Sequence, residues 1–200
     1  MQQRTAFRCC RRAIGVAAIL CLTSPAALGD TETADVVPCT ISAWSKDDRP
    51  HGLTVHEGPG IGTPVLATLP PSKRFDGSPI GTEVSIAGSR NGWFLIREAV
   101  VVDYYRSDPS TVVFEGRGWV NGDKLALLLN HRTLYAKPSA NAEEVADLYS
   151  ASARSGPDGF VVDRLHACTG SWVDVEGQFF GAKLRGWSVG TCSNQVTTCP

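Results

Sequence analysis

The sequence predicts an all-β protein: two small β-barrels in tandem, the first carrying a long inserted β-hairpin, behind a cleaved leader peptide. Three observations carry that expectation. Short runs rich in Val, Ile and aromatics, such as Leu53-Thr54-Val55, Glu83-Val84-Ser85-Ile86, Phe160-Val161-Val162 and Trp172-Val173-Asp174-Val175, alternate with Gly and Pro punctuation. Strands this short, broken by turn signals this often, belong to sandwiches and small barrels. Similar runs recur in the same order in the two halves of the chain, and the first 29 residues differ in composition from all that follows. Only Ala140–Leu148 has a helical look; it is short and poorly capped, and reads as a loop holding one helical turn.

Residues 1–29 hold Arg4, Arg8, Arg11 and Arg12 and no acid. An apolar stretch from Ala13 to Leu22 follows, and Ala27 and Gly29 occupy small positions near the end. A basic start, a short apolar middle and a small-x-small end make a secretory signal peptide, with cleavage expected after Gly29. Ten apolar residues are too few to cross about 30 Å of hydrocarbon, so no membrane span is expected. Leu20 is too bulky for lipoprotein processing at Cys21, and the flanks of Arg11-Arg12 fit twin-arginine export poorly. Ordinary secretion is the reading, and the expected location is periplasmic or secreted.

The whole chain has 19 Lys+Arg against 20 Asp+Glu, a net charge of −1. The leader takes four basic residues and no acid with it, so the remaining 171 residues hold 15 basic and 20 acidic, a net charge of −5. That balance argues against a nucleic-acid partner, which calls for a dominant basic face. A hydrophobic share of 42% with 20% charged residues is that of a folded globular chain.

After the leader, Cys39, Cys168, Cys192 and Cys199 remain. In an exported chain four cysteines read as two disulfides, with three connectivities open. The short loop between Cys192 and Cys199 favours that pair and leaves Cys39 for Cys168. On chain-entropy arguments the first closure is worth about 2–3 kcal/mol and the second about 5. No Cys-x-x-Cys and no paired His stands at ligand spacing, so a zinc site is set aside and no cofactor is expected.

Trp93 to Tyr105 is almost continuously apolar and is followed by a turn signal at Asp108-Pro109 and by Thr111-Val112-Val113-Phe114. This is the expected hairpin, projecting from the body because its strands outrun a small barrel. The repeat lies around it. Asn91-Gly92-Trp93-Phe94-Leu95-Ile96 resembles Thr169-Gly170-Ser171-Trp172-Val173-Asp174-Val175, and Gly118-Trp119-Val120 resembles Gly186-Trp187-Ser188-Val189. Upstream, Val55-His56-Glu57-Gly58-Pro59 parallels Leu134-Tyr135-Ala136-Lys137-Pro138, each leading to an apolar Val65 or Val145. The units are residues 36–128, with the hairpin insertion at about 97–114, and 129–200.

Gly52-Leu53-Thr54-Val55-His56-Glu57-Gly58-Pro59-Gly60, followed by Val65, Leu69, Gly81, Val84, Ile86, Gly92-Trp93 and Gly118-Trp119-Val120, resembles the bacterial SH3 (SH3b) family, with His56 in place of the usual Arg. The second unit is similar through Gly170-Ser171-Trp172-Val173-Asp174-Val175 and Gly186-Trp187, without the opening signature. The resemblance implies two SH3-like barrels. It implies recognition of cell-wall material, short peptides of peptidoglycan, in a shallow groove beside the loop His56–Thr63.

Enzyme signatures are missing from the sequence: no Gly-x-Ser-x-Gly elbow, no phosphate loop, no His-Glu-x-x-His. His51, His56, His131 and His166 stand singly and read as surface or loop residues, Glu143-Glu144 as a solvated loop, and Lys46-Asp47-Asp48 as a solvated turn. A non-enzymatic binding protein is expected. Strand parity puts Val173 and Val175 inside, with Asp174 facing water and Trp172 on the outer or interfacial face. It likewise sets Trp93 and Leu95 opposite Phe94 and Ile96, while Trp119 and Trp187 are read as core. The candidate ligand groove is His56, Glu57, Trp93 and Trp172, the alternative for the two indoles being packing between units. Tyr104 and Tyr105 near the hairpin tip are the candidate contact for an envelope protein partner, with strand pairing as the mechanism.

Overall fold

Alternation of apolar and polar residues sets the strands. In β1 (Val37–Ser45) Cys39, Ile41, Ala43 and Ser45 are buried, every second residue, as a strand with one face on a core requires. The computed structural model describes residues 35–75, 78–104 and 110–196. After β1 come β2 (Leu53–His56), β3 (Val65–Leu69), β4 (Lys73–Phe75), β5 (Ser78–Ile80) and β6 (Glu83–Arg90). The long pair β7 (Trp93–Val101) and β8 (Thr111–Asn121) leads through a 3-10 turn at Gly122–Lys124 to β9 (Leu125–Ala126) and β10 (Leu128–Leu129). The second half runs β11 (Thr133–Tyr135), β12 (Glu144–Asp147), β13 (Val161–Thr169), β14 (Trp172–Phe179), β15 (Ala182–Ser188) and β16 (Thr191–Cys192). The architecture is almost wholly β, with no α-helix among the described residues, and carries a curled half-barrel sheet.

Two sheets dominate. The larger has the order β3-β2-β8-β7-β6-β1-β9 and the smaller β12-β11-β15-β14-β13. The first five strands of the larger sheet therefore follow the same order of roles as the whole of the smaller. The register repeats as well. His56 lies opposite Trp119 and Tyr135 opposite Trp187, each next to a register shift, after Val55 in one sheet and after Leu134 in the other. The glycine before each of these indoles answers a close approach. A methyl at Gly118 would stand 2.2 Å from Val55 Cγ1, and one at Gly186 3.0 Å from Leu134 Cβ. The register matches Val145 with Leu66, one place from Val65.

One buried cluster takes residues from both sheets, among them Ile41, Val84, Phe94 and Ile96 with Leu134, Leu165, Val173 and Val175. The described residues all belong to one compact unit. The seam between the sheets is covalent and hydrogen-bonded. Cys39 and Cys168 form a disulfide across 129 residues of chain. Beside it the Thr40 N–H donates to the Gly170 carbonyl at 2.7 Å and the Gly170 N–H to the Pro38 carbonyl at 3.0 Å. Ser89 Oγ accepts from the Cys168 N–H at 2.8 Å, tying β6 to β13. Cys192 is disulfide-bonded too; Cys199 and the leader lie outside the described residues.

β7 and β8 pair antiparallel out to Val101 opposite Thr111, as the hairpin expectation has it, while the turn at Asp108-Pro109 lies outside the described residues. The second sheet replaces that extension with the two-residue turn Phe180-Gly181, both at positive φ (48° and 82°). The segment Ala140–Leu148 corrects the sequence reading: Glu144–Asp147 is strand β12, because pairing with β11 outweighs the helix propensity of a Glu- and Ala-rich stretch. Replacing Cys39 and Cys168 together by Ser is expected to lower the unfolding free energy by about 3–5 kcal/mol, read from urea denaturation of the oxidised protein.

Candidate functional site

On β14 the residues Val173, Val175 and Gly177 are buried toward the core, so Trp172, Asp174 and Glu176 share the other face. Across that face Asp174 stands opposite Trp187 and Glu176 opposite Arg185 on β15, while Arg164 of β13 stands opposite Glu176 from the other side. The charges alternate in a ladder. Arg164 meets Asp123 through Nε to Oδ1 at 2.5 Å and Nη2 to Oδ2 at 2.9 Å. His166 Nε2 donates to Glu176 Oε2 at 2.8 Å, and Arg185 grips Asp174 through Nη2 at 2.8 Å and Nε at 3.2 Å. The hydrogen bond from His166, with the nearby charges of Arg164 and Arg185, holds the Glu176 carboxyl below the usual carboxylate range. The bond to Asp174 raises the guanidinium of Arg185 above its ordinary value.

At the Arg164 end the ladder opens into a polar cleft of about 310 Å³ lined by Asn91, Trp93, Asn121, Asp123, Arg164 and His166. Two turns build its rim. Asn91 and Gly92 both have positive φ, which closes the tight hairpin between β6 and β7. Asn121 Oδ1 accepts from the Asp123 N–H at 2.8 Å, and the Gly122 N–H donates to the Gly92 carbonyl at 2.9 Å, so Asp123 is held against the hairpin turn.

The four groove residues separate. His56 and Trp93 meet edge to face, ring centroids 5.3 Å apart, whereas Trp172 packs on Tyr135 at 5.6 Å. His56 is not a surface histidine. It is 6% exposed, with Nε2 on Thr54 Oγ1 at 3.0 Å and Nδ1 on the Thr63 carbonyl at 3.2 Å. Glu57 is exposed at the start of a loop that closes on itself, the Thr63 hydroxyl meeting the carbonyls of Gly58 and Gly60. Phe94 and Ile96 lie in the main core, but Trp119 does not: with Trp93 and Leu95 it forms a second buried cluster on the opposite face, and Trp187 is half-buried. Asp174, read as facing water, is buried, because Arg185 comes across from the neighbouring strand to pair with it.

Tyr104 turns back to the body. Its hydroxyl donates to Glu83, whose other oxygen accepts from Ser193 Oγ at 2.7 Å, and burial together with that carboxylate pushes the phenol well above its ordinary pKa. Tyr105 lies outside the described residues. Lys46-Asp47-Asp48 is not a solvated turn either. Asp47 is 2% exposed and held by Arg49, and Lys46 Nζ reaches the Val162 carbonyl at 3.2 Å; only Asp48 is exposed. The ladder residues Asp123, Arg164, Glu176 and Arg185 escaped the sequence reading. The signal for them was the period-2 spacing of Trp172, Asp174 and Glu176, but their partners lie on other strands.

Among the described residues no group of three or more His, Cys, Asp or Glu is placed to hold a metal ion, and no helix is long and apolar enough to cross a membrane. No family model matches the chain, and no curated protein and no solved structure matches it.

Hydrogen bonds from Arg49 hold the Asp47 carboxyl below the usual range. Its folded pKa thus lies under its unfolded one, so the pair stabilises above about pH 4 and that contribution fades as pH falls through the folded value. Asp47→Asn is expected to cost about 1–2 kcal/mol at pH 7, with the gap to wild type closing below about pH 4 in parallel urea titrations.

Proposed function

We propose that this is an exported, non-enzymatic binding protein of the cell envelope, built from two SH3b-like repeats, that recognises short peptides of peptidoglycan. The observation that carries the reading is the charge ladder Asp123–Arg164–Glu176–Arg185–Asp174 beside the cleft at Trp93. Stem peptides carry both carboxylates and amines, and a row of alternating charges offers each a partner without a net field of one sign. The duplicated strand order and the glycine-Trp pairs support the two-repeat reading. The disulfides fit an oxidising compartment.

The site differs from the groove that the resemblance implies. His56 is buried and the His56–Thr63 loop is closed on itself, so the reading rests instead on the open cleft lined by Trp93, Asp123 and Arg164. The purified, oxidised protein should co-sediment saturably with intact sacculi, be displaced by soluble stem peptides, and lose affinity as salt rises. Arg164→Gln should weaken binding about tenfold, near 1.4 kcal/mol. Protein that stays in the supernatant would overturn the reading and turn attention to the hairpin, whose Val101 and Val112 are 37% and 54% exposed, as a contact for an envelope protein.

A further inference from the structure

The duplication supplies an internal comparison that points to a second binding surface. In the first sheet His56, Trp119 and Leu95 form one row across three strands, with Trp93 diagonal to it. All four are buried, none more than 9% exposed. In the second sheet the same positions are Tyr135, Trp187 and Asp174, with Trp172 diagonal. Here the row is open. Tyr135 and Asp174 are each 7% exposed at its floor, while both indoles stay partly exposed, and His131 extends it with its ring 5.8 Å from that of Tyr135.

The exchange of Leu95 for Asp174 at one register position is the informative difference. A carboxylate set into the floor of an aromatic row is costly unless it is paired. Arg185 pairs it from a position whose side chain is 55% exposed. The result is a partly exposed aromatic row that ends in a paired carboxylate and guanidinium. An acyl chain would strand the ion pair away from water. An anionic lipid or nucleotide would meet Asp174, and Arg185 already neutralises the attraction that Asp174 would hold for a cation. A pyranose ring fits both halves of the surface: its axial C–H face lies on indole, and its equatorial hydroxyls bond to a carboxylate and a guanidinium.

We infer that the outer face of the second repeat, Trp172, Tyr135 and Trp187 with Asp174 and Arg185, is a stacking site for a neutral, β-linked glycan. This inference shares Asp174 and Arg185 with the ladder of the peptide reading and adds the aromatic row, which that reading does not use. The two fail separately: competition of sacculus binding by stem peptides reads the ladder, and titration with a soluble sugar reads the aromatic row.

The probe is cellotetraose, a neutral β-1,4-linked chain with all ring substituents equatorial, titrated into the full oxidised protein while the indole N–H resonances of its five tryptophans are followed by NMR. Saturable shifts at Trp172 and Trp187, with Trp44, Trp93 and Trp119 unmoved, are expected. Trp172→Ala and Asp174→Asn should each weaken binding at least tenfold. Because Trp172→Ala removes a ring that Tyr135 packs on, Trp172→Phe serves as the folding control and should retain binding within about threefold. No shift at sugar concentrations up to about 10 mM, where even millimolar affinity would register, overturns the inference. So do shifts confined to Trp93 and Trp119. Movement of the same two indoles on raising protein concentration without sugar also overturns it, by assigning the face to a second copy of the chain.

Discussion

The seam between β1 and β13 is the constraint on which the rest of the structure depends. The Cys39–Cys168 bond joins the ends of a 129-residue span, and the Ser89, Gly170 and Pro38 hydrogen bonds set the register beside it. A cross-link of that reach removes a large part of the unfolded chain's freedom, worth about 5 kcal/mol on chain-entropy arguments. Its structural effect matters as much. β13 is fixed against the first sheet, so Arg164 and His166 reach Asp123 and Trp93, residues more than forty positions earlier. Without the seam the cleft would have only one wall.

The two sheets keep one scaffold and differ where it faces outward. Inside, the demands coincide: Val55 and Leu134 need the space left by Gly118 and Gly186, and Phe94, Ile96, Val173 and Val175 fill one continuous core. Outside, the first sheet spends its aromatic row on burial, with His56 satisfied by Thr54 and Thr63 and its ring against Trp93. The second leaves its indoles partly exposed and places an ion pair among them. Packing density leaves little tolerance in a core, whereas a sheet's outer face accepts substitution so long as buried polar groups stay paired.

Much of this was legible in sequence, and the exceptions have a common cause. Strand parity set Phe94 and Ile96 against Trp93 and Leu95, and Val173 and Val175 inward, because a side-chain period of two is a local property. The short loop between Cys192 and Cys199 pointed to Cys39 for Cys168, and that disulfide is present. Parity could not say that Asp174 would be buried, since Arg185 arrives from another strand. Nor could it say that Lys46 would reach Val162, 116 residues away, or that Thr63 would close over His56. Ala140–Leu148 was misread for the same reason: its strand exists through pairing with β11.

The amino-acid order by itself determined the β class, the repeated Gly-Trp units and which face of each central strand turns inward. These follow from turn residues and from alternation, both read within a few positions. Tertiary structure alone decided which charges meet, which histidine is buried and which aromatic row stays open. Those outcomes depend on side chains from strands distant in sequence converging on one surface, and on the cost of removing a polar group from water without a partner.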